Sequence, residues 1–278
     1  MSKGWKCYNH AWVPENPYCD PDTTAIEKKD IWQSGVYLAR WTTDFDCGYE
    51  TQWWYAIKDA PFDISSLKSN RRYKITKGMR NFDVRVINPC DYKEELFDIQ
   101  EAAFSAYPEK YRPTVNKDEF TSDIDNWDKF VVFGAFFRET GEMKGYTLMT
   151  PLDETHIELR VQKSVPQYER YGVNAALVEK VLAHYSECLQ EGGIISDGAR
   201  TINHETNFQD YLGRYFGFRK AYCKLHIKYN PKIKMVVKVL YCFRGILNKL
   251  DGIGIIHSIN SILKMEEIMR KQRELENE

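Results

Sequence analysis

Residues 165–177 read Val165-Pro166-Gln167-Tyr168-Glu169-Arg170-Tyr171-Gly172-Val173-Asn174-Ala175-Ala176-Leu177. Before them, Ile157, Leu159 and Val161 alternate with His156, Glu158, Arg160 and Gln162, the period of a strand over His156–Val165. After them, Ala176, Leu177, Val181, Leu182 and Leu189 recur at helical spacing, which predicts a helix over Val173–Leu189. A strand that turns at once into a helix presents unbonded N–H groups and the positive end of the helix dipole. Such a turn suits a phosphate-bearing ligand, and Gly172 lets the backbone come close to it.

Outward from this turn, the elements alternate. Strands are expected at Gly35–Trp41, Gln52–Ile57, Asp83–Ile87, Gly193–Asp197 and Ala221–Tyr229. Phe130–Phe137 and Gly145–Thr150 flank Glu139-Thr140-Gly141-Glu142 and read as a hairpin. Helices are expected at Tyr92–Ala106 and Asn207–Tyr215, with a basic helix over Leu67–Met79 ended near Gly78. Composition divides the chain into a Trp-rich N-terminal zone (1–82), a central zone (83–231) and a C-terminal helical extension (232–278).

The quoted turn resembles motif A of the GNAT acyltransferase superfamily, with Pro166, Tyr168, Gly172 and the helix in register. Glu169 stands where that motif has Gln or Arg, and Asn174 where it has Gly or Ala. A second run, from Thr206 through Tyr215-Phe216-Gly217-Phe218-Arg219, resembles GNAT motif B, and the likeness covers roughly 83–229. Trp54 through Met79, with Leu67, Arg71, Arg72, Ile75, Lys77 and Gly78, resembles FemAB-like acyltransferases. The resemblance implies an α/β (α+β) fold: a mixed, mostly antiparallel sheet flanked by helices.

It also implies transfer of an acyl group from acetyl-CoA or another acyl-CoA to an amine, possible acceptors being an amino sugar or a cell-envelope precursor. The cofactor would lie along Leu159 and Val161 and at Glu169, Arg170, Tyr171, Gly172, Val173, Asn174 and Ala175, with Asn207 a further contact or a helix cap. Counting back from Glu169 puts the family's strand-borne base on Glu158. Its thiol-protonating Tyr falls on Gly213, which leaves Tyr211 and Tyr215 as substitutes or as packing. Under the FemAB-like alternative the donor is an aminoacyl-tRNA, the one nucleic-acid partner considered. A degenerate binding module is a third reading.

The polar segment 196–205 holds Asp197, Arg200, His204 and Glu205 as candidate acceptor-binding or acid–base groups, His204 through its near-neutral titration. Every Trp but Trp127 lies in 1–82, where indoles either fill a small core or stack on a ligand ring. The basic helix either binds an anionic substrate or presents a solvated face. From 232 to 264, Lys232, Lys234, Lys238, Arg244, Lys249 and Lys264 stand against Asp251 among apolar residues. Such a stretch lies on an anionic membrane, packs on the domain, or meets a second copy in a homodimer. The tail from Lys264 is expected as an exposed helix.

At 278 residues with 43% hydrophobic and 28% charged residues, the chain can bury a core without staples. Its net charge of −1 indicates no polyanionic partner. No signal peptide or membrane-spanning run is read, so a cytoplasmic location is expected, with the inner membrane face as its variant. The cysteines are odd in number, at seven, and lack metal-ligand spacing, so no disulfide framework or metal site is expected.

Overall fold

The computed structural model describes residues 4–27, 31–32, 35–107, 109, 112–202, 207–250 and 254–276. In chain order the elements begin with β1 (Trp5–Tyr8), β2 (Ala11–Pro14), α1 (Thr24–Glu27), β3 (Leu38–Thr43), β4 (Trp53–Lys58), α2 (Ser69–Asn81) and β5 (Phe82–Ile87). There follow α3 (Lys93–Ser105), α4 (Lys117–Ile124), β6 (Val131–Phe137), β7 (Met143–Pro151), β8 (His156–Ser164), α5 (Val173–His184), α6 (Ser186–Gln190) and β9 (Ile194–Ala199). The chain closes with α7 (Phe208–Phe216), β10 (Arg219–Tyr229), α8 (Pro231–Cys242), α9 (Arg244–Lys249) and α10 (Gly254–Glu276).

Two units form, and neither is one stretch of chain. The first takes Met1–Ala56, Ala199–Asn207 and Lys220–Glu278; the second takes Ile57–Gly198 and Phe208–Arg219. The boundaries drawn from composition at 82 and 231 do not coincide with these.

In the second unit, β5, β6, β7 and β8 pair antiparallel in sequence order, and β9 joins β8 in parallel. Apolar side chains leave both faces of this sheet. On one face Phe133, Ala135, Phe137, Ile157 and Leu159 meet Val173, Leu177 and Val181 of α5. On the other, Val132, Phe136, Tyr146 and Leu148 meet Leu96 and Ile99 of α3, Ile124 of α4 and Trp127. Full burial of one such side chain contributes about 1.5–3 kcal/mol, so helices are required on both faces.

Helix α2 runs through Gly78 to Asn81, past the expected stop. The reason is packing. A Cβ on Gly78 would collide with the Gly172 carbonyl oxygen and stand 3.1 Å from the Ala176 nitrogen. Gly78 therefore keeps α2 at backbone distance from α5, and this offsets the ~1 kcal/mol that glycine costs inside a helix. The expected helix 173–189 is broken at Tyr185 into α5 and α6, which returns Leu189 to the core at 2% exposure. Helix α4 had no counterpart in the sequence reading, although Asn116 caps it by accepting from the Glu119 N–H, a capping signal present in the residues.

In the first unit the strand order is β1-β2-β3-β10-β4. β10 lies antiparallel to β3, with Tyr229 opposite Leu38 and Lys224 opposite Thr43. Here the tryptophans are mainly core: Trp5 is 3% exposed and Trp53 2%, and Trp12 and Trp41 pack on the Trp5, Ile26 and Ala39 cluster. Trp5 and Trp12 donate their indole N–H groups to the Asp22 and Ile31 carbonyls. The tail after Lys264 is a helix but not an exposed one. Met265, Ile268 and Met269 are buried, and Gln272 accepts the Leu225 N–H. Its apolar residues fall at helical spacing on one face, which charge density along the tail conceals.

Gly78→Ala is expected to destabilise the protein by about 1–3 kcal/mol, because its methyl group meets backbone that cannot step aside. The midpoint of urea unfolding measures this. An unchanged midpoint would show that α2 and α5 are not held at backbone distance.

Candidate active site

The site begins where β8 and β9 part. Their parallel ladder consists of His156 opposite Ile194, Ile157 opposite Ile195 and Glu158 opposite Ser196. Beyond Glu158, β8 runs on to Ser164, paired to β7 alone among its described ladders within this unit. Backbone N–H and C=O groups on that stretch are thus left without ladder partners toward β9. An extended ligand chain can take them up as a strand would.

A bulge changes what this stretch presents. Met149 pairs with Leu159 and Leu148 with Val161, so Arg160 is the extra residue. Side chains after it switch faces. Leu159 belongs to the α5 cluster, whereas Val161 packs with the α3 cluster. Gln162 is turned toward α5, where its side-chain amide donates to Asn174 Oδ1 at 3.2 Å. The simple alternation read from the sequence holds only up to Arg160. Leu159 and Val161 can offer a ligand their backbone, not their side chains.

At the parting point stand Glu158 and Asp197. Asp197 is largely enclosed, and burial, with the Glu158 charge nearby, raises its carboxyl pKa to about 7; a hydrogen bond from Gln209 of α7 opposes the shift. The neighbouring Ser196 hydroxyl accepts the Gly198 N–H at 3.0 Å. A carboxyl group that titrates near neutrality and sits at an opening in a sheet is a natural proton acceptor. Sequence reading named Asp197 only as one member of a polar loop; its distinction is enclosure, which a sequence does not display. Lys58 is a second group that the sequence did not mark. It is buried, and that burial lowers its pKa.

The turn itself is a 3-10 helix, Pro166–Tyr171, ended by Gly172 at φ +91°. Gly172 is the only residue in it that needs a left-handed backbone. Asn174 is helical, and its amide is engaged by Gln162. The first α5 bond is Ala176 N–H to the Gly172 carbonyl, which leaves the N–H groups of Val173, Asn174 and Ala175 at the helix start. The Val173 and Ala175 side chains are buried. Glu169 and Arg170 are exposed; the Arg170 guanidinium lies over the Tyr171 ring at 4.8 Å. The Tyr171 carbonyl accepts from Asn81 of α2.

An acyl-CoA donor fits this arrangement in part. The parted strand suits an extended arm. Gly172 does not suit a diphosphate resting on it, because a Cβ there would stand 2.8 Å from the Gly78 Cα and 3.5 Å from the Lys74 carbonyl. Helix α2 fills the space on the Cβ side of Gly172.

On α7, the Tyr211 and Tyr215 rings meet at a tilt with centres 5.0 Å apart, and Lys74 of α2 donates to the Tyr215 hydroxyl at 2.9 Å. Burial raises the Tyr211 pKa, so its hydroxyl stays protonated at neutral pH. Gly213 has a structural reason: a Cβ there would meet the Phe218 carbonyl at 3.3 Å. Asn207 is an exposed turn residue just ahead of α7. His204 and Glu205 lie outside the described residues. Arg200 belongs to the first unit, where its backbone N–H bonds the Trp54 carbonyl.

No protein-family model matches the chain, and no curated protein does. Solved structures do. L-PGS from Bacillus licheniformis is similar over 84% of this chain and 82% of that one, at 13% identity and a TM-score of 0.50. The C-terminal domain of a protein assigned as a lysylphosphatidylglycerol synthetase from Agrobacterium fabrum follows, at 11% identity, 84% and 83% coverage and a TM-score of 0.49. A tandem GNAT protein from the clavulanic acid pathway covers 79% of this chain and 75% of its own, at 8% identity and 0.45. The likeness is one of fold: an α/β layer with a mostly antiparallel sheet flanked by helices.

The raised Asp197 pKa carries a stability signature. The folded carboxyl keeps its proton to about pH 7, the unfolded one only to about 3.8, so folding stability falls as pH rises between those values. Asp197→Asn removes that fall. The variant is expected to match the parent near pH 3.5 and to exceed it at pH 8 by about 1–2 kcal/mol, discounted for remaining solvent access. Urea melts at both pH values measure the difference, and equal stability at pH 8 would remove the enclosed carboxyl.

Proposed function

We propose that this chain is an acyltransferase in which Asp197 takes the proton of an amine acceptor while an activated acyl donor lies extended along β8. The observation that carries this reading is the parting of β8 from β9 after Glu158, with an enclosed carboxyl group of pKa about 7 at the fork. An amine attacks only when neutral, and a base that titrates near the working pH is best matched to deprotonate it. The amine nitrogen bonds to the acyl carbonyl carbon, its proton passes to Asp197, and the bond to the carrier breaks. The carrier leaves with the electron pair and takes up a proton. Tyr211, kept protonated by burial, is the candidate donor of that proton. Glu158 acts through its charge, which helps hold Asp197 near neutrality.

Acetyl-CoA or another acyl-CoA is the first donor to test. The covering of Gly172 by Gly78 favours a second, an aminoacyl ester on tRNA, which needs no diphosphate on the turn. Calorimetric titration with acetyl-CoA separates them. Binding at millimolar ligand or better supports the thioester donor; no heat there, with turnover of an aminoacyl ester, assigns the other.

Asp197→Asn is expected to lower kcat by about two to four orders of magnitude and to abolish the pH dependence near 7, with folding intact. Glu158→Gln should instead move the rate profile to lower pH. An unaltered profile in Asp197→Asn would remove Asp197 from the mechanism.

We also propose that α8 and α9 rest on an anionic membrane surface. Met235, Val239, Phe243 and Ile246 are exposed by 74%, 59%, 54% and 61%, with Lys232, Lys234, Lys238, Arg244 and Lys249 on the same two helices. Exposed apolar residues among cations insert at an interface while the cations meet anionic headgroups. No helix among the described residues is long and apolar enough to cross a membrane. Cosedimentation with phosphatidylglycerol vesicles is expected for the parent and lost in Met235→Glu/Val239→Glu. Equal sedimentation of both proteins would sink this contact.

A further inference from the structure

The first unit holds a cavity of about 220 Å³ lined by Arg40 of β3, Trp53 of β4, Arg200 and Thr201 after β9, and Ser261 of α10. Its polar groups are nearly all donors. Among the described residues, the polar partner of the Arg40 guanidinium is the Met265 sulfur at 3.7 Å, a weak acceptor, and its carbon lies 5.6 Å from the Trp53 ring centre. Arg200 gives one terminal nitrogen to the Gln52 carbonyl at 2.6 Å, while its buried Nε has no hydrogen-bond partner. Trp53 is 2% exposed, and its indole N–H lies near the Tyr55 hydroxyl. Among the described residues, no carboxylate lines this cavity.

A second cavity of about 300 Å³ shares Ile202 and Ser261 with the first and adds Arg244 and Lys264. Its carboxylate, Glu267, is paired to Lys271 at 3.2 Å. Taken together, the two hollows carry Arg40, Arg200, Arg244 and Lys264 against one carboxylate among the described residues, Glu267. Enclosed donors without acceptors are costly to a folded protein unless a ligand supplies the acceptors.

We propose that this cavity binds a phosphate group. A carboxylate is planar and is satisfied by one guanidinium fork. A phosphate presents oxygens in several directions and carries up to two charges. It can therefore face Arg40 and Arg200 together while receiving the Thr201 hydroxyl; the Ser261 hydroxyl is already donated to the His257 carbonyl at 2.8 Å. The phosphate is that of a soluble ester, of free inorganic phosphate, or of a lipid headgroup. The site stands on residues that the acyl-transfer reading does not use, and its binding is read without turnover.

The test is calorimetric titration of the full chain with glycerol 3-phosphate, with inorganic phosphate and with glycerol, and vesicle binding with and without phosphatidylglycerol in phosphatidylcholine. At least one phosphate probe is expected to bind, glycerol is not, and affinity should fall with salt. Tighter binding of glycerol 3-phosphate than of inorganic phosphate assigns a soluble ester, equal binding the free anion, and binding to anionic vesicles alone a lipid headgroup only where Arg40→Gln, with α8 and α9 untouched, weakens it. Arg40→Gln, folded by circular dichroism, should weaken the phosphate probe by about tenfold or more. If that variant does not fold, Thr201→Val decides by the same titration, with a severalfold loss expected. Silence from every phosphate probe, or a folded variant that binds like the parent, overturns the assignment.

Discussion

Helix α5 can start where it does because two glycines meet. Gly172 takes a left-handed backbone at φ +91°, which turns the chain from the 3-10 segment into the helix. Gly78 lets α2 approach until its backbone touches that turn. A side chain at either position would drive the helices apart and lift Val173, Leu177 and Val181 from the sheet. The position of α5 then sets what β8 carries on its outer half. Gln162 turns toward Asn174 only because the bulge at Arg160 has reversed the strand's faces. A close helix crossing thus fixes both ends of the candidate site.

The same crossing reshapes the chemistry. Free N–H groups at a helix start attract anions, yet here a basic helix lies over the glycine that would admit one. What stays open is the fork between β8 and β9. Its equipment is a strand with unspent hydrogen-bonding groups and a carboxyl group that titrates near neutrality. Those two features suit acyl transfer from an extended donor more directly than they suit any particular carrier. The donor-rich cavity of the first unit is a separate piece of chemistry, built from β3, β4, the segment after β9 and α10.

Periodicity made most of the second unit readable. The hairpin β6–β7, the strand β8 and the helix after Gly172 each carry a period that local residues impose; the strands lie within a few residues of their expected bounds, and the helix starts at Val173 as expected but stops at His184. Apart from α4, whose cap at Asn116 is local, the misreadings share one cause, which is that the deciding partner lies far away in sequence. Gly78 reads as a stop until Gly172 is seen against it. Val161 reads as a partner of Leu159 until the Arg160 bulge separates them. The tail after Lys264 reads as solvated because its charges outnumber its apolar residues, although Met265, Ile268 and Met269 fall on one buried face. The site divides in the same way: Glu158 was found by counting along a motif, whereas Asp197 stood out only once its enclosure was known.

By itself the sequence determined the alternation of strands and helices, the turn at Gly172 and hence the fold class, since each follows from the shape of neighbouring residues and their period. Tertiary structure decided which face of that turn remains open, that β10 joins the Trp-rich strands, and that Asp197 rather than an exposed loop residue holds a near-neutral proton. These depend on burial and on backbone approach between segments far apart in the chain. Desolvation and close packing act through space, so no local pattern records them.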